Sequence, residues 1–111
     1  MPQTAIDLVH LARQTGGDHE LERELLALFS QQCVRHLRTI HGGDERARIE
    51  AAHTLKGAAG AVGAWEVAEA ADRMERHLGG GQSSLAEQAM DALALAAAEA
   101  RAAISRFDCA A

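Results

Sequence analysis

A chain of 111 residues has room for one domain and one core, and 16 acidic residues against 11 Lys and Arg leave it a net charge of −5. That balance makes a nucleic-acid backbone a poor partner. Of the 48% of residues that are apolar, 25 are alanine; Phe29, Trp65 and Phe107 are the only aromatics, a composition suited to close helix packing and not to bridging the ~10 Å between stacked sheets.

Val, Ile and Thr number four each and never alternate along a strand-like run. Cys33 and Cys109 lie 76 residues apart, which is no metal-type pair. There is neither an export leader nor an apolar run long enough to span a membrane. A cytoplasmic setting with free thiols is expected.

Glycines cut the chain. Gly16-Gly17, Gly42-Gly43, Gly63 and Gly79-Gly80-Gly81 leave segments 4–15, 18–41, 44–62, 64–78 and 84–107. The only proline, Pro2, precedes them all, so no helix is broken from inside. The first segment predicts a short helix capped by Thr4. The second, capped by Asp18, carries Leu21, Leu25 and Leu28 as core, with Phe29, Cys33, Leu37 and Ile40 alongside. The third starts at Asp44 and aligns Ile49, Ala52, Leu55, Ala59 and Val62; the fourth aligns Val67, Ala71, Met74 and Leu78. The fifth opens on Ser84 and Glu87 as a capping box. Its inward residues are Leu85, Ala89, Leu93, Ala96, Ala100, Ile104 and Phe107, with Glu99 and Arg101 outside.

Short connections make successive helices antiparallel. The expectation is an all-α fold over residues 1–111, with a short leading helix before an up-down-up-down four-helix bundle. Met1 and a bundle that ends near Phe107 point to a free-standing protein.

Chemistry concentrates in residues 51–64, AAHTLKGAAGAVGA. On a wheel of about 100° per residue, Leu55, Ala59 and Val62 stay within about 80° of Ala52. His53, Gly57, Gly60 and Arg46 turn about 80–140° to the other side, and Lys56 falls between the two groups. His53 therefore stands beside the core seam. A glycine inside a helix costs about 1 kcal/mol relative to alanine, yet this helix carries two. Gly57 leaves a notch one turn from the imidazole; Gly60 reads equally as a close-packing residue. Lys56, the single lysine, follows His53 by three residues, so its ammonium can swing toward the ring. A nucleophilic nitrogen, a neighbouring cation and a bare surface suit acceptance of a phosphoryl group from another protein. The run Gly57 to Gly63 lacks the spacing and the preceding strand of a nucleotide loop.

The string His53-Thr54-Leu55-Lys56-Gly57, with Gly63 ten residues after the histidine, resembles the signature of histidine-containing phosphotransfer (HPt) domains. Gly16-Gly17-Asp18 leading into Leu25, Leu26 and Phe29 is similar to the opening of that family. The resemblance covers almost the whole chain. It implies a single HPt domain, a four-helix bundle with His53 as phosphoacceptor, Lys56 as phosphate-side cation and Gly57 as clearance residue. It also implies response-regulator receiver domains and a histidine or hybrid kinase as partners.

The family pattern is not matched everywhere. Ala58 and Ala59 stand where many members have serines, and Glu75, 22 residues after the histidine, stands where many relay members have glutamine. A carboxylate at that place is similar to the phosphotransfer domains of chemotaxis-type kinases, where it hydrogen-bonds the histidine. Glu75 also lies about as far past Gly63 as His53 lies before it, at the edge of its helix's apolar stripe. Accepting from Nδ1–H there, it would leave Nε2 free as the nucleophile. Its other reading is a solvated acid beside Arg76 or Arg73.

His10, His19, His36, His41 and His77 form no i,i+4 metal pair and read as surface residues. The chain carries no ATP-binding segment, so it is expected to be no kinase and to bind no cofactor, with Mg²⁺ supplied by the receiver. Arg46 and Gly60 complete the expected partner-binding face, and a monomer is expected. The competing readings are a helical interaction module in which His53 is never modified, and the phosphotransfer domain of a larger chemotaxis-type or hybrid kinase.

Overall fold

The computed structural model describes residues 4–109, with side chains through Phe107; the side chain of Cys109 lies outside the described residues, as does Pro2. Five helices follow in order: α1 (Leu8–Thr15), α2 (His19–Gly42), α3 (Glu45–Val62), α4 (Trp65–Gly79) and α5 (Ser83–Cys109). The described residues contain no strand. None of the helices is long and apolar enough to cross a membrane.

α2 packs on α3, α3 on α4, α4 on α5 and α5 back on α2, while α1 lies against α2 and α3. Every helix contributes to the core enclosed by this ring. Leu11, Leu26, Phe29, Leu55, Met74 and Leu93 are fully buried, and alanines fill the seams between them. Small seam residues let helix axes approach closely, so an aromatic-poor sequence still closes a core. Cys33 is buried there as a free thiol, which burial pushes up to about 11 and so keeps protonated.

Several caps fall where expected. The Asp18 carboxylate accepts from the Leu21 N–H (3.1 Å) and that of Asp44 from the Ala47 N–H (2.8 Å). Two cap expectations need correction. α1 begins at Leu8 and is capped by Asp7, not Thr4, because Asp7 Oδ1 accepts from the His10 N–H. α5 begins at Ser83, and the Gln82 carbonyl already accepts from the Ala86 N–H, so Ser84 and Glu87 stand inside the helix and do not cap it.

The α2 stripe is displaced by one residue. Leu21 and Leu28 are exposed and Leu25 is half-buried, whereas Glu22, Leu26, Phe29, Cys33 and Ile40 are buried. Both sets have helical spacing; contact with α1, α3 and α5 chooses between them. Likewise Leu85 is exposed and Ala86 takes its place inside.

Glu22 is the buried charged residue among those described, and its cost is met locally. Thr15 Oγ1 donates to Oε2 (3.1 Å) and His19 Nδ1 lies 2.9 Å from Oε1. That cluster ties the end of α1 to the start of α2.

The other end of α1 is tied to the α3–α4 junction. The Asp7 N–H donates to the Gly63 carbonyl (2.9 Å) and Trp65 Nε1–H donates to Asp7 Oδ2 (3.0 Å), with the His10 ring edge-on to Trp65. Gly63 is buried with φ +79°, and a Cβ there would stand 2.9 Å from the Asp7 carbonyl oxygen. Gly16 is also left-handed (φ +66°), but a Cβ there would meet nothing. Gly63→Ala is therefore expected to lose about 1–3 kcal/mol for strained backbone and more for the displaced Asp7. Gly16→Ala should lose only the strain. Chemical denaturation of both variants checks the difference, and equal losses would show that Asp7 yields freely.

Candidate functional site

α3 and α4 are joined across Gly63 and Ala64, and side chains equally distant from that junction meet. His53 meets Glu75, and Lys56 meets Asp72. The inner face of α3, with Ala52, Leu55 and Ala59 buried, turns His53 outward, where 66% of its side chain is exposed. Glu75 comes from the edge of the α4 face that buries Ala71, Met74 and Leu78, and is largely shielded.

His53 Nδ1 lies 3.0 Å from Glu75 Oε2. The other Glu75 oxygen, Oε1, is 2.9 Å from Lys56 Nζ, and the same ammonium is 3.3 Å from Asp72 Oδ1. Asp72 Oδ2 in turn is 3.1 Å from Arg76 Nε. Five ionisable groups thus form one continuous chain: His53, Glu75, Lys56, Asp72 and Arg76.

Charge fixes the direction of the first bond. The Lys56 ammonium, and after it the His53 N–H, holds the Glu75 carboxyl below its ordinary 4.5, against the opposing effect of burial. Conversely the Glu75 and Asp72 carboxylates raise Lys56 above its ordinary 10.5. At neutral pH Glu75 is an anion that can only accept, so Nδ1 is the protonated nitrogen of the neutral ring. The lone pair is then on Nε2.

One and two turns beyond His53, α3 is bare. A Cβ added at Gly57 or at Gly60 would meet no atom within 4 Å. The close-packing reading of Gly60 is thereby corrected, because no neighbouring helix presses on it. Gly57 is exposed and Gly60 half-exposed on the same helix as His53.

Arg46 stands apart. It is seven residues before His53, about 10 Å along the axis, and pairs with Glu50 at 3.4 Å, both exposed. The alternative partners for Glu75 are also corrected: Arg76 pairs with Asp72, while Glu75 pairs with His53 and Lys56. Asp72 is the residue that sequence reasoning missed, and Arg76, weighed there only beside Glu75, pairs with it. The register that paired His53 with Glu75 pairs Lys56 with Asp72 as well, and was sufficient to find it. Among the other histidines, His10, His36 and His77 are half-buried and not surface residues.

Replacing Glu75 by alanine is expected to release the tautomer. Even at the low end, a hydrogen bond to a charged group is worth about 1.5 kcal/mol, which is about tenfold in a population ratio. ¹⁵N NMR of the His53 ring should show Nδ1–H dominant in the wild type and a shift of that order toward Nε2–H in Glu75→Ala. Identical ring spectra would mean that the carboxylate does not orient the imidazole.

The family model described as the Hpt domain matches residues 24–103. No curated protein and no solved structure gives a match. Hpt domains are carriers in histidine phosphotransfer, not kinases, and exchange phosphoryl groups with kinases and receiver domains in phosphorelays. The match spans α3 and α4 entirely, with most of α2 and α5, and by it the chain belongs to the Hpt domain family.

Proposed function

We propose that the chain, as a single HPt domain over residues 1–111, is the phosphoryl carrier of a two-component phosphorelay with His53 as phosphoacceptor. The observation that carries this reading is the pairing of His53 Nδ1 with the Glu75 carboxylate beside an open surface at Gly57 and Gly60. A histidine kept for packing would be buried; this one is two-thirds exposed with one nitrogen held and the other free.

In the forward step the Nε2 lone pair attacks the phosphorus of a receiver phosphoaspartate. The N–P bond forms, the P–O bond to the aspartate breaks, and the carboxylate leaves with the electron pair. The proton stays on Nδ1, which keeps donating to the Glu75 carboxylate, and that anion faces the positive ring. Lys56 offsets charge on the equatorial oxygens as they pass. The reverse step delivers the group to a second receiver. Mg²⁺ enters with the receiver and not on this chain. Gly57, Gly60 and Arg46 line the face a receiver would meet.

The ring of helix contacts and the short turns support an up-down-up-down arrangement of α2 to α5. The acidic charge balance supports a protein partner over nucleic acid, and a cytoplasmic monomer is the simplest form in which such a carrier works. A second reading, the phosphotransfer domain of a chemotaxis-type kinase, is favoured by one observation, the carboxylate on the histidine. It differs in the first donor, an ATP-bound kinase domain in place of a receiver.

Incubation with a phosphorylated receiver domain should place an acid-labile, base-stable phosphoryl group on the wild type and none on His53→Gln. The variant should keep its stability to within about 0.5 kcal/mol, as an exposed substitution. Label retained on His53→Gln would reject this reading, and no label on either would favour a non-catalytic interaction module. Gly57→Gln should remain as stable or gain slightly, since the new side chain enters open space. Its transfer should fall at least about tenfold, for about 1.4 kcal/mol of lost docking. Stopped transfer assays against the same receiver measure it, and an unchanged rate would remove Gly57 from the docking face.

A further inference from the structure

Lys56 occupies a position that the carrier reading alone does not explain. Its ammonium leaves α3 and bridges two α4 carboxylates, at 2.9 Å from Glu75 and 3.3 Å from Asp72. Asp72 is itself braced from the far side by Arg76, one turn along α4, at 3.1 Å. Two anions and two fixed cations balance, so the cation nearest the nucleophile is already neutralised before any phosphate arrives. A phosphoryl group brings about two further negative charges, and only a cation that can leave its carboxylates meets them in full.

Of those two contacts, the one with Glu75 is the shorter ion pair and the one with Asp72 has hydrogen-bond geometry, while Glu75 alone also holds the imidazole. Asp72 makes the longer contact, and its hydrogen-bond and ion-pair partners are Lys56 and Arg76. It is the separable member.

We propose that Asp72 is a positioning residue that holds the Lys56 ammonium against α4 and thereby restrains phosphorylation of His53. The proposal rests on the phosphoacceptor reading of His53. Lys56 reaches the phosphoryl oxygens by giving up Asp72, and that release leaves the Glu75 contact with the imidazole in place. Asp72 acts through Lys56 alone. The structure thus separates two jobs on one helix: Glu75 sets the nucleophile, and Asp72 sets the cation.

Phosphoramidate provides the test, since it needs no partner protein: Nε2 forms the N–P bond while the donor's P–N bond breaks and ammonia leaves with the electron pair. Initial rates are compared for the wild type, Asp72→Asn, Lys56→Met and the double variant, each checked for helical content. Asp72→Asn should be faster by about two- to five-fold, the range of a partly exposed ion pair, and Asp72→Glu should restore the slower rate. In the Lys56→Met background, Asp72→Asn should change nothing. Equal acceleration in both backgrounds would overturn the proposal in favour of a general field of one removed charge, and an unchanged or slower Asp72→Asn would overturn it outright.

Because Lys56 is the only lysine, its ammonium gives a single side-chain ¹⁵N signal. That signal should titrate at lower pH in Asp72→Asn than in the wild type, since an anion favouring the charged form is gone; coincident titrations would show that the contact is not made. Failure of the wild type to be labelled would instead reject the phosphoacceptor reading, and the lysine titration keeps that outcome distinct.

Discussion

Across the left-handed Gly63, α3 and α4 pack against each other so that seam residues equally far from the turn, such as His53 and Glu75, meet. Buried alanines such as Ala52, Ala59 and Ala71 permit that approach, since larger side chains would hold the axes apart. Everything in the candidate site depends on this pairing. It brings a histidine and a carboxylate 22 residues apart in sequence to 3.0 Å, and it does so without burying the imidazole. The Asp7 contacts to Gly63 and Trp65 secure the same junction from outside.

Electrostatics then assigns the parts. A carboxylate between an ammonium and an imidazole is held ionised, so it accepts from Nδ1–H and leaves the opposite nitrogen with its lone pair. An ammonium between two carboxylates is held charged, so the cation is present at any physiological pH. Neither effect needs deep burial. The contacts are short, Glu75 is largely shielded, and His53 stays exposed to solvent.

The same alternation of small residues does two different jobs on the two sides of α3. On the inner face alanine permits helix packing; on the outer face glycine at 57 and 60 leaves space that, among the described residues, nothing enters within 4 Å of an added Cβ. Glycine in a helix interior is locally unfavourable. The proposed carrier function gives that cost a reason, because a receiver must bring its own phosphorylated side chain to Nε2.

Much of this was legible in the linear sequence, for local reasons. The helix limits follow from glycine breaks and aspartate caps, which act within a few residues of themselves, and α3 was placed at its observed limits. His53, Lys56, Gly57 and Gly63 stood in one short string, so a helical wheel and a family resemblance sufficed to single them out. Phe29, Cys33 and Ile40 face inward as the spacing suggested, but periodicity could not decide whether Leu21 and Leu28 or Glu22 and Leu26 join them. That choice belongs to the neighbouring helices, as does the use of Asp7 as a cap once Gly63 and Trp65 hold it. Nor could a charge count show that Lys56 is held by Asp72 and Glu75 while Arg76 braces Asp72. Register about Gly63 gives the height at which residues of α3 and α4 meet, but which charged atoms pair there is decided by where the tertiary fold sets the side chains.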